Sequence, residues 1–309
     1  MSKIAFIFPG QGSQYVGMGR DFYDLLPLAK EYFVKANKIL GFDIQNIIFN
    51  GPEEELKQTR VTQPAIYLIN AIIYKSLELK GIKPDITAGH SLGEYSALFA
   101  AGVFSFEDGL GLVKIRGECI EQASRNNPGS MAAIIGADRS KVEEVCKELS
   151  EGEVLEAVNF NTQDQTVVAG SKNAISRLVS RAKEFGIKRA IELNVSGPFH
   201  SSLMDEAYKS FKDSVYKVPF ISPKIPVVTN YKGEIRNEKT AIQEDLTFQI
   251  NNSIQWVDSI KKIKDFGVRM FYEIGPGKVL TGLNRKIVPD IKTVNIDSCE
   301  RLNKLKVLA

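Results

Sequence analysis

Five residues, Gly89-His90-Ser91-Leu92-Gly93, have the types and spacing for nucleophilic chemistry. They spell G-x-S-x-G, the pattern of a strand that turns sharply at a serine and leaves as a helix, holding the hydroxyl at the top of the turn. Strand and helix nearly touch at such an elbow, so a side chain at position 89 or 93 would collide with the crossing backbone. A serine hydroxyl is a poor nucleophile until a base takes its proton. The chain holds only two histidines, His90 and His200. In a tight elbow the neighbouring side chains point away from the serine, which leaves His200 as the base by elimination. It lies between Gly197-Pro198 and Ser201-Ser202, where a loop opens into a helix. The bland alternatives at this point are a glycine-bounded turn with a surface serine, and a helix-start histidine without chemistry.

A third triad member would be an acid between Ser91 and His200 in chain order. The Asp and Glu residues there fall within helices or in a separate folding unit, and none is flanked as a strand-end acid would be. The expectation is therefore a Ser–His dyad whose imidazole is oriented by a backbone carbonyl or an amide side chain. An acyl-transfer intermediate also needs two donors for its oxyanion. The elbow supplies the Leu92 amide, and Gln11, between Gly10 and Gly12 after the first strand, suits the second. Arg116 is unusual because its helical neighbours Leu112, Val113, Cys119 and Ile120 form an apolar stripe. Arginine is seldom buried unpaired, so it is either a snorkelling or salt-bridged side chain or a fork for a ligand carboxylate.

The elements that must position these groups follow from the hydrophobic pattern. Lys3 to Phe8 reads as a buried first strand, Arg20 to Leu40 as helical, Thr62 to Lys80 as a buried helix, and Ser105 as the cap of a helix reaching about Ser124. From Ser130 to Leu193 the order becomes strand–helix–strand–strand–helix–strand, the ferredoxin-like βαββαβ arrangement. This unit, 126–195, reads as an insertion into an α/β core formed by 1–125 and 196–309, with hinges at Asn126-Asn127-Pro128-Gly129 and Ser196-Gly197-Pro198. The core resumes with a helix from Ser201, a strand at Val227 to Thr229, helices near 239–250 and 253–266, and a last strand from Val268 to Ile274.

Two glycine-rich loops invite other readings and fail them. The loop from Gly10 has Tyr15 where a dinucleotide fingerprint needs its third glycine, and Gly275-Pro276-Gly277-Lys278 lacks the spacer and hydroxyl of a phosphate loop, so it is a turn. Net charge is +3, from 40 basic and 37 acidic residues, giving no argument for nucleic acid or a membrane surface. No stretch approaches the roughly 20 apolar residues of a membrane span, and the N-terminal apolar run is short for a signal peptide. Cys119, Cys146 and Cys299 are odd in number and far apart, as expected of reduced thiols in the cytoplasm.

Taken together, these residues resemble the malonyl-CoA:acyl-carrier-protein transacylase family of bacterial type II fatty-acid synthesis. The resemblance rests on Gly10-Gln11-Gly12-Ser13-Gln14, Gly89 through Leu98, Arg116-Gly117-Glu118 and Gly197-Pro198-Phe199-His200-Ser201. It is extended by Asn159-Phe160-Asn161, Gln249 ahead of Gln255-Trp256, and Glu273 through Gly277, in order along the chain. It implies an α/β-hydrolase-like core with a parallel sheet and an inserted ferredoxin-like subdomain, in agreement with the pattern above. It further implies Ser91 as nucleophile, His200 as base and acid, Gln11 and Leu92 as oxyanion amides, and Arg116 as the grip on the malonyl carboxylate. Gln249 would help orient the histidine, and Asn159 and Phe199 would contact substrate, Phe199 resembling malonyl-selective members. The substrates implied are malonyl-CoA and acyl carrier protein, by ping-pong transfer in a monomer that needs no metal or redox cofactor. Carrier proteins are acidic, which suggests docking near Lys172, Arg177, Arg181, Lys183, Lys188 and Arg189, against the alternative of a solvated helix face.

Overall fold

The structure, a computed structural model, describes residues 3–305. The elements run β1 (Lys3–Phe8), α1 (Arg20–Leu25), α2 (Pro27–Leu40), α3 (Ile44–Asn50), α4 (Glu53–Leu56), α5 (Thr59–Leu79), β2 (Ile86–Gly89), α6 (Gly93–Ala100) and α7 (Phe106–Asn126). Then come β3 (Gly129–Ile135), α8 (Arg139–Leu149), β4 (Leu155–Thr162), β5 (Gln165–Ser171), α9 (Lys172–Arg181) and β6 (Arg189–Glu192). The chain closes with α10 (Asp205–Lys217), β7 (Val227–Val228), β8 (Ile235–Arg236), α11 (Lys239–Phe248), α12 (Trp256–Asp265), β9 (Val268–Ile274), α13 (Val279–Ile287), β10 (Lys292–Ile296) and α14 (Cys299–Lys304).

Two sheets organise the molecule. The first has the order β10-β9-β1-β2-β7-β8, parallel except for the last pair. β1 shows why it is covered on both faces: Phe6 and Phe8 enter the core built with α2, α5, α6 and α7, whereas Ala5 and Ile7 face α12 and α13. Such a continuous apolar run is what a doubly covered parallel strand requires. β1 and β2 pair in parallel with Phe8 opposite Gly89, so the loops after both strands leave the same edge of the sheet. That register brings Gln11 toward Ser91. Ligands bind at this carboxyl edge of open α/β sheets.

The second sheet lies between α7 and residue 193, in the order β4-β5-β3-β6 with every pair antiparallel. Alternation again sorts its faces. Ala132, Ile134 and Val168 pack under α8 and α9, while Met131, Val158, Val167 and Ala169 form the opposite face with Leu193, Val195 and Phe199. β4 is tied to the first half of the molecule, because Ile254 donates to the Val158 carbonyl and Phe160 donates to that of Ile254. Among the described residues, no helix is long and apolar enough to cross a membrane.

The structure corrects several boundaries. Arg20 to Leu40 is two helices, because Leu26 is extended ahead of Pro27, which opens α2 as its first residue. The second helix of the βαββαβ stretch ends at Arg181 and continues as a 3-10 turn, Ala182–Phe185, closed by Gly186 in the left-handed region. His200 leads into a short 3-10 turn before α10 rather than directly into a helix. Val268 to Ile274 is not the last strand: β10 follows, a sheet edge whose Lys292, Thr293 and Asn295 break the apolar pattern that would have announced it.

Candidate active site

The elbow is as crowded as its glycines require. A β-carbon on Gly89 would stand 1.9 Å from the Gly93 carbonyl carbon, and one on Gly93 would stand 2.0 Å from the Phe8 carbonyl oxygen. The turn forces Ser91 to φ 51°, and His200 has φ 64°; both are left-handed conformations that cost a non-glycine residue about 1–3 kcal/mol. Two strained residues held face to face are the signature of a site fixed by its surroundings.

Those surroundings are explicit at Ser91. Its backbone N–H donates to Asn230 Oδ1 at 2.6 Å, and Asn230 Nδ2 donates to the Gly89 carbonyl at 2.6 Å. One buried amide from the segment after β7 thus clamps both arms of the turn. The Ser91 hydroxyl lies 2.7 Å from His200 Nε2. On the far side of the ring, Nδ1 lies 2.8 Å from the backbone carbonyl of Gln249. A carbonyl can only accept, so Nδ1 carries the proton and Nε2 offers its lone pair to the serine. Burial, and next the nearby Arg116 charge, push the His200 pKa down to about 3. The imidazole is therefore neutral throughout the physiological range.

Arg116 is 1% exposed, on the inward face of α7. Nη1 donates to Gln63 Oε1 at 2.7 Å, and Nη2 donates to Gln249 Oε1 at 3.0 Å and to the Ser91 hydroxyl at 3.3 Å. Nε has no partner, and the side chain forms no ion pair among the described residues. The Tyr95 ring lies 5.5 Å from the guanidinium. A buried cation held only by neutral acceptors is costly, and a ligand carboxylate would compensate it.

Gln249 joins these parts: its carbonyl orients the base, its Oε1 holds Arg116, and its Nε2 donates to the Ser91 carbonyl at 2.9 Å and to Glu94 Oε2 at 2.7 Å. Sequence reasoning reached Gln249 through a resemblance and assigned it the histidine; the structure places that contact on the backbone and adds the side-chain contacts. Glu94 itself is fully buried in the first turn of α6, and burial pushes its pKa up to about 8.

A cleft of about 420 Å³ opens over this centre, between the elbow, the loop after β1 and the Met131 face of the second sheet. Ser91, His200, Arg116, Gln11, Phe199 and Asn159 all line it. Leu92 is buried at the start of α6, and its amide and that of Gln11 donate to no protein acceptor among the described residues. His90 turns aside, its Nε2 lying 2.8 Å from Asn161 Oδ1, in keeping with its exclusion as the base.

Known proteins supply the wider context. The model of the acyl transferase domain family matches residues 5–305. A malonyl CoA-acyl carrier protein transacylase of Haemophilus influenzae is 40% identical over 308 residues, covering 99% of this chain and 99% of its own. That of Escherichia coli is 43% identical over 289 residues, covering 93% and 94%. Among solved structures, an acyl carrier protein S-malonyltransferase from Vibrio cholerae superposes with a TM-score of 0.95 at 38% identity, over 99% of this chain and 100% of that one. A type II PKS acyl-carrier protein in complex with its malonyl-transacylase gives 0.95 at 38% identity, over 98% of each. The chain belongs to the malonyl-CoA:acyl-carrier-protein transacylase family. As a transacylase, it carries Gln11, Ser91, Arg116, Asn159, Phe199 and His200 into one cleft, with Leu92 and Gln249 buried behind its wall.

Three further residues at the transacylase site, Asn230, Glu94 and Gln63, were missed by sequence reasoning. Glu94 had the one available signal, an acid immediately after an elbow that must be buried. The basic residues expected to dock a partner divide into two groups. Arg177 is held by the Leu149 and Ser150 carbonyls and by Glu153 at 3.0 Å, and Arg181 pairs with Glu184 at 3.0 Å. Their charge is shared with acceptors and acids of the same segment. Lys172, Lys183, Lys188 and Arg189 are exposed, and Lys172 borders a groove that shares Leu193, Asn194 and Val195 with the cleft.

Proposed function

We propose that this protein transfers the malonyl group of malonyl-CoA to the phosphopantetheine thiol of acyl carrier protein, through a malonyl-serine ester, as a step in fatty-acid synthesis. The observation that carries the reading is Arg116: a buried, carboxylate-free guanidinium 3.3 Å from the nucleophilic hydroxyl. A simple ester would leave that cation uncompensated, whereas a malonyl group brings the missing charge.

In the first half-reaction Ser91 Oγ attacks the thioester carbon while His200 Nε2 takes its proton. The imidazolium that forms keeps its Nδ1–H on the Gln249 carbonyl, and the oxyanion is assigned to the amides of Leu92 and Gln11. Collapse expels CoA as a thiol that regains the proton from His200. The carrier thiol then enters, gives its proton to His200 and takes the malonyl group, and Ser91 is regenerated. The exchange of thioester for ester and back is redox-neutral, so no cofactor is invoked. All the groups used come from one chain, which fits a monomer.

The same reading assigns Phe199 and Asn159 to the acyl chain and pantetheine wall of the cleft. It also takes 126–195 as a ferredoxin-like subdomain, supported by its β4-β5-β3-β6 order, inserted into an α/β-hydrolase-like core of 1–125 and 196–309. Carrier-protein docking is assigned to the surface near Lys172, Arg177, Arg181, Lys183, Lys188 and Arg189, the exposed Lys172, Lys183, Lys188 and Arg189 first among them. Incubating the protein with malonyl-CoA and phosphopantetheinylated carrier protein, then weighing the carrier, tests the reading. A malonyl-carrier product supports it; free malonate with unmodified carrier points to a hydrolase instead.

A further inference from the structure

Glu94 has no part in the chemistry above, yet it is buried to 0% exposure beneath the nucleophile. Its Oε2 accepts two hydrogen bonds from segments far apart in sequence. One comes from the Gln249 side-chain amide at 2.7 Å, the other from the Asn230 backbone at 3.1 Å. Its Oε1 has no partner among the described residues.

A glutamine side chain has a donor end and an acceptor end, and a flip exchanges them. With Glu94 and the Ser91 carbonyl both accepting, only one orientation of Gln249 satisfies every contact, the one that turns Oε1 toward Arg116. The opposite orientation sets an N–H₂ group against a guanidinium and one acceptor against another. The second donor, the Asn230 backbone, belongs to the residue whose side chain clamps Ser91 and Gly89. One carboxyl oxygen therefore anchors both the residue that aims Arg116 and the residue that clamps the elbow.

We propose that Glu94 is a positioning residue for acyl-group selectivity: it locks the Gln249 amide and the Asn230 clamp, and so fixes the spacing between Arg116 and Ser91. This rests on the malonyl-transfer reading. It separates two properties of the site. The Ser91–His200 contact and the backbone bond behind it do not involve Glu94, so acylation by an uncharged group loses only what the loosened elbow costs. Reading a carboxylate also requires Arg116 to be aimed, so malonyl acylation loses more. The carboxyl is pushed up to about 8 by burial, which makes it neutral near pH 7 and closely matched by glutamine.

The test compares Glu94→Met, which fills the volume without a comparable acceptor, with Glu94→Gln, which keeps one. Rates of Ser91 acylation are measured with malonyl-CoA and with acetyl-CoA, alongside Tm. In folded Glu94→Met the malonyl rate is expected to fall further than the acetyl rate, lowering the malonyl-to-acetyl ratio by about tenfold or more. Glu94→Gln is expected to keep the ratio within about twofold. An unmoved ratio in Glu94→Met, or a loss in Glu94→Gln equal to that in Glu94→Met, overturns the proposal. Should Glu94→Met fail to fold, Glu94→Gln decides alone, since lost selectivity in that variant contradicts the assignment and retention supports it. Wild type in the same series separates the two readings. No malonyl ester on wild type ends the transfer reading and this role with it; an ester with an unmoved ratio ends only the role of Glu94.

Discussion

The backbone carbonyl of Gln249 stands 2.8 Å behind Nδ1 of His200, in the place where a catalytic triad would put a carboxylate. A carbonyl fixes the tautomer and ring orientation as an acid would, but brings no charge to stabilise the imidazolium. It also survives any side-chain substitution at its own position. Gln249→Ala should therefore keep the base while losing the contacts to Arg116, Glu94 and the Ser91 carbonyl. Single-turnover acylation by malonyl-CoA is expected to slow by roughly 10- to 100-fold in Gln249→Ala and by at least ~1,000-fold in His200→Ala. Equal losses would mean that the side chain, not the carbonyl, orients the base.

The neutral state of His200 has a consequence for pH. A free imidazole titrates near 6.5, but burial and then the Arg116 charge hold this one down at about 3. The acid limb of kcat/KM for acylation should thus lie well below pH 6.5, since the base in the free enzyme stays unprotonated until then. A limb centred near 6.5 would contradict the burial of the ring. Linkage has the same origin: between the unfolded value and about 3 the unfolded chain binds the proton that the folded one refuses. Stability from this group is present above pH 6.5 and lost as pH falls toward 3, whereas His200→Gln should lack that component in an acid Tm series.

In the proposed transfer, Arg116 is the residue that would prefer a charged acyl group. Removing it should cost malonyl transfer the charge pair, worth on the order of 3–5 kcal/mol when one partner of a buried pair is lost. In Arg116→Ala the malonyl-to-acetyl ratio of kcat/KM is expected to drop by more than ~100-fold, with acetyl transfer unchanged or raised. An unchanged ratio in a folded variant would remove the arginine from substrate recognition.

The basic residues of the proposed docking face differ in their ion pairs. Lys183→Glu with Lys188→Glu reverses two exposed charges, and should raise the KM for carrier protein several-fold at low salt while leaving that for malonyl-CoA alone. Arg177→Glu should instead lower Tm, because its bonds to Leu149, Ser150 and Glu153 tie α9 to the end of α8 and the turn after it. A KM effect from Arg177→Glu without a change in Tm would give it a docking role instead of a structural one.

What the sequence disclosed was mostly what is local. The elbow is a five-residue pattern, Gly89 is demanded by backbone contact within the same turn and Gly93 by the end of β1 beside it, and Arg116 stood out against its own helix. His200 was legible only through the scarcity of imidazoles. Asn230 was not legible, because its role depends on a two-residue strand, β7, setting it beside an elbow 139 positions earlier. Glu94 was passed over because an acid in a helix reads as solvated until the packing around it is known. The split at Leu26-Pro27 had its signal in the proline, whereas β10 had none, being a short edge strand with polar residues at three of five positions.

The central claim is that Ser91 carries a malonyl ester. Incubating the protein with malonyl-CoA, without any acceptor, and measuring its intact mass tests that claim most directly. The account predicts one malonyl adduct on the wild type, none on Ser91→Ala, and its discharge on adding a pantetheine thiol. CoA release with no adduct on the wild type, or an adduct that persists in Ser91→Ala, would contradict it.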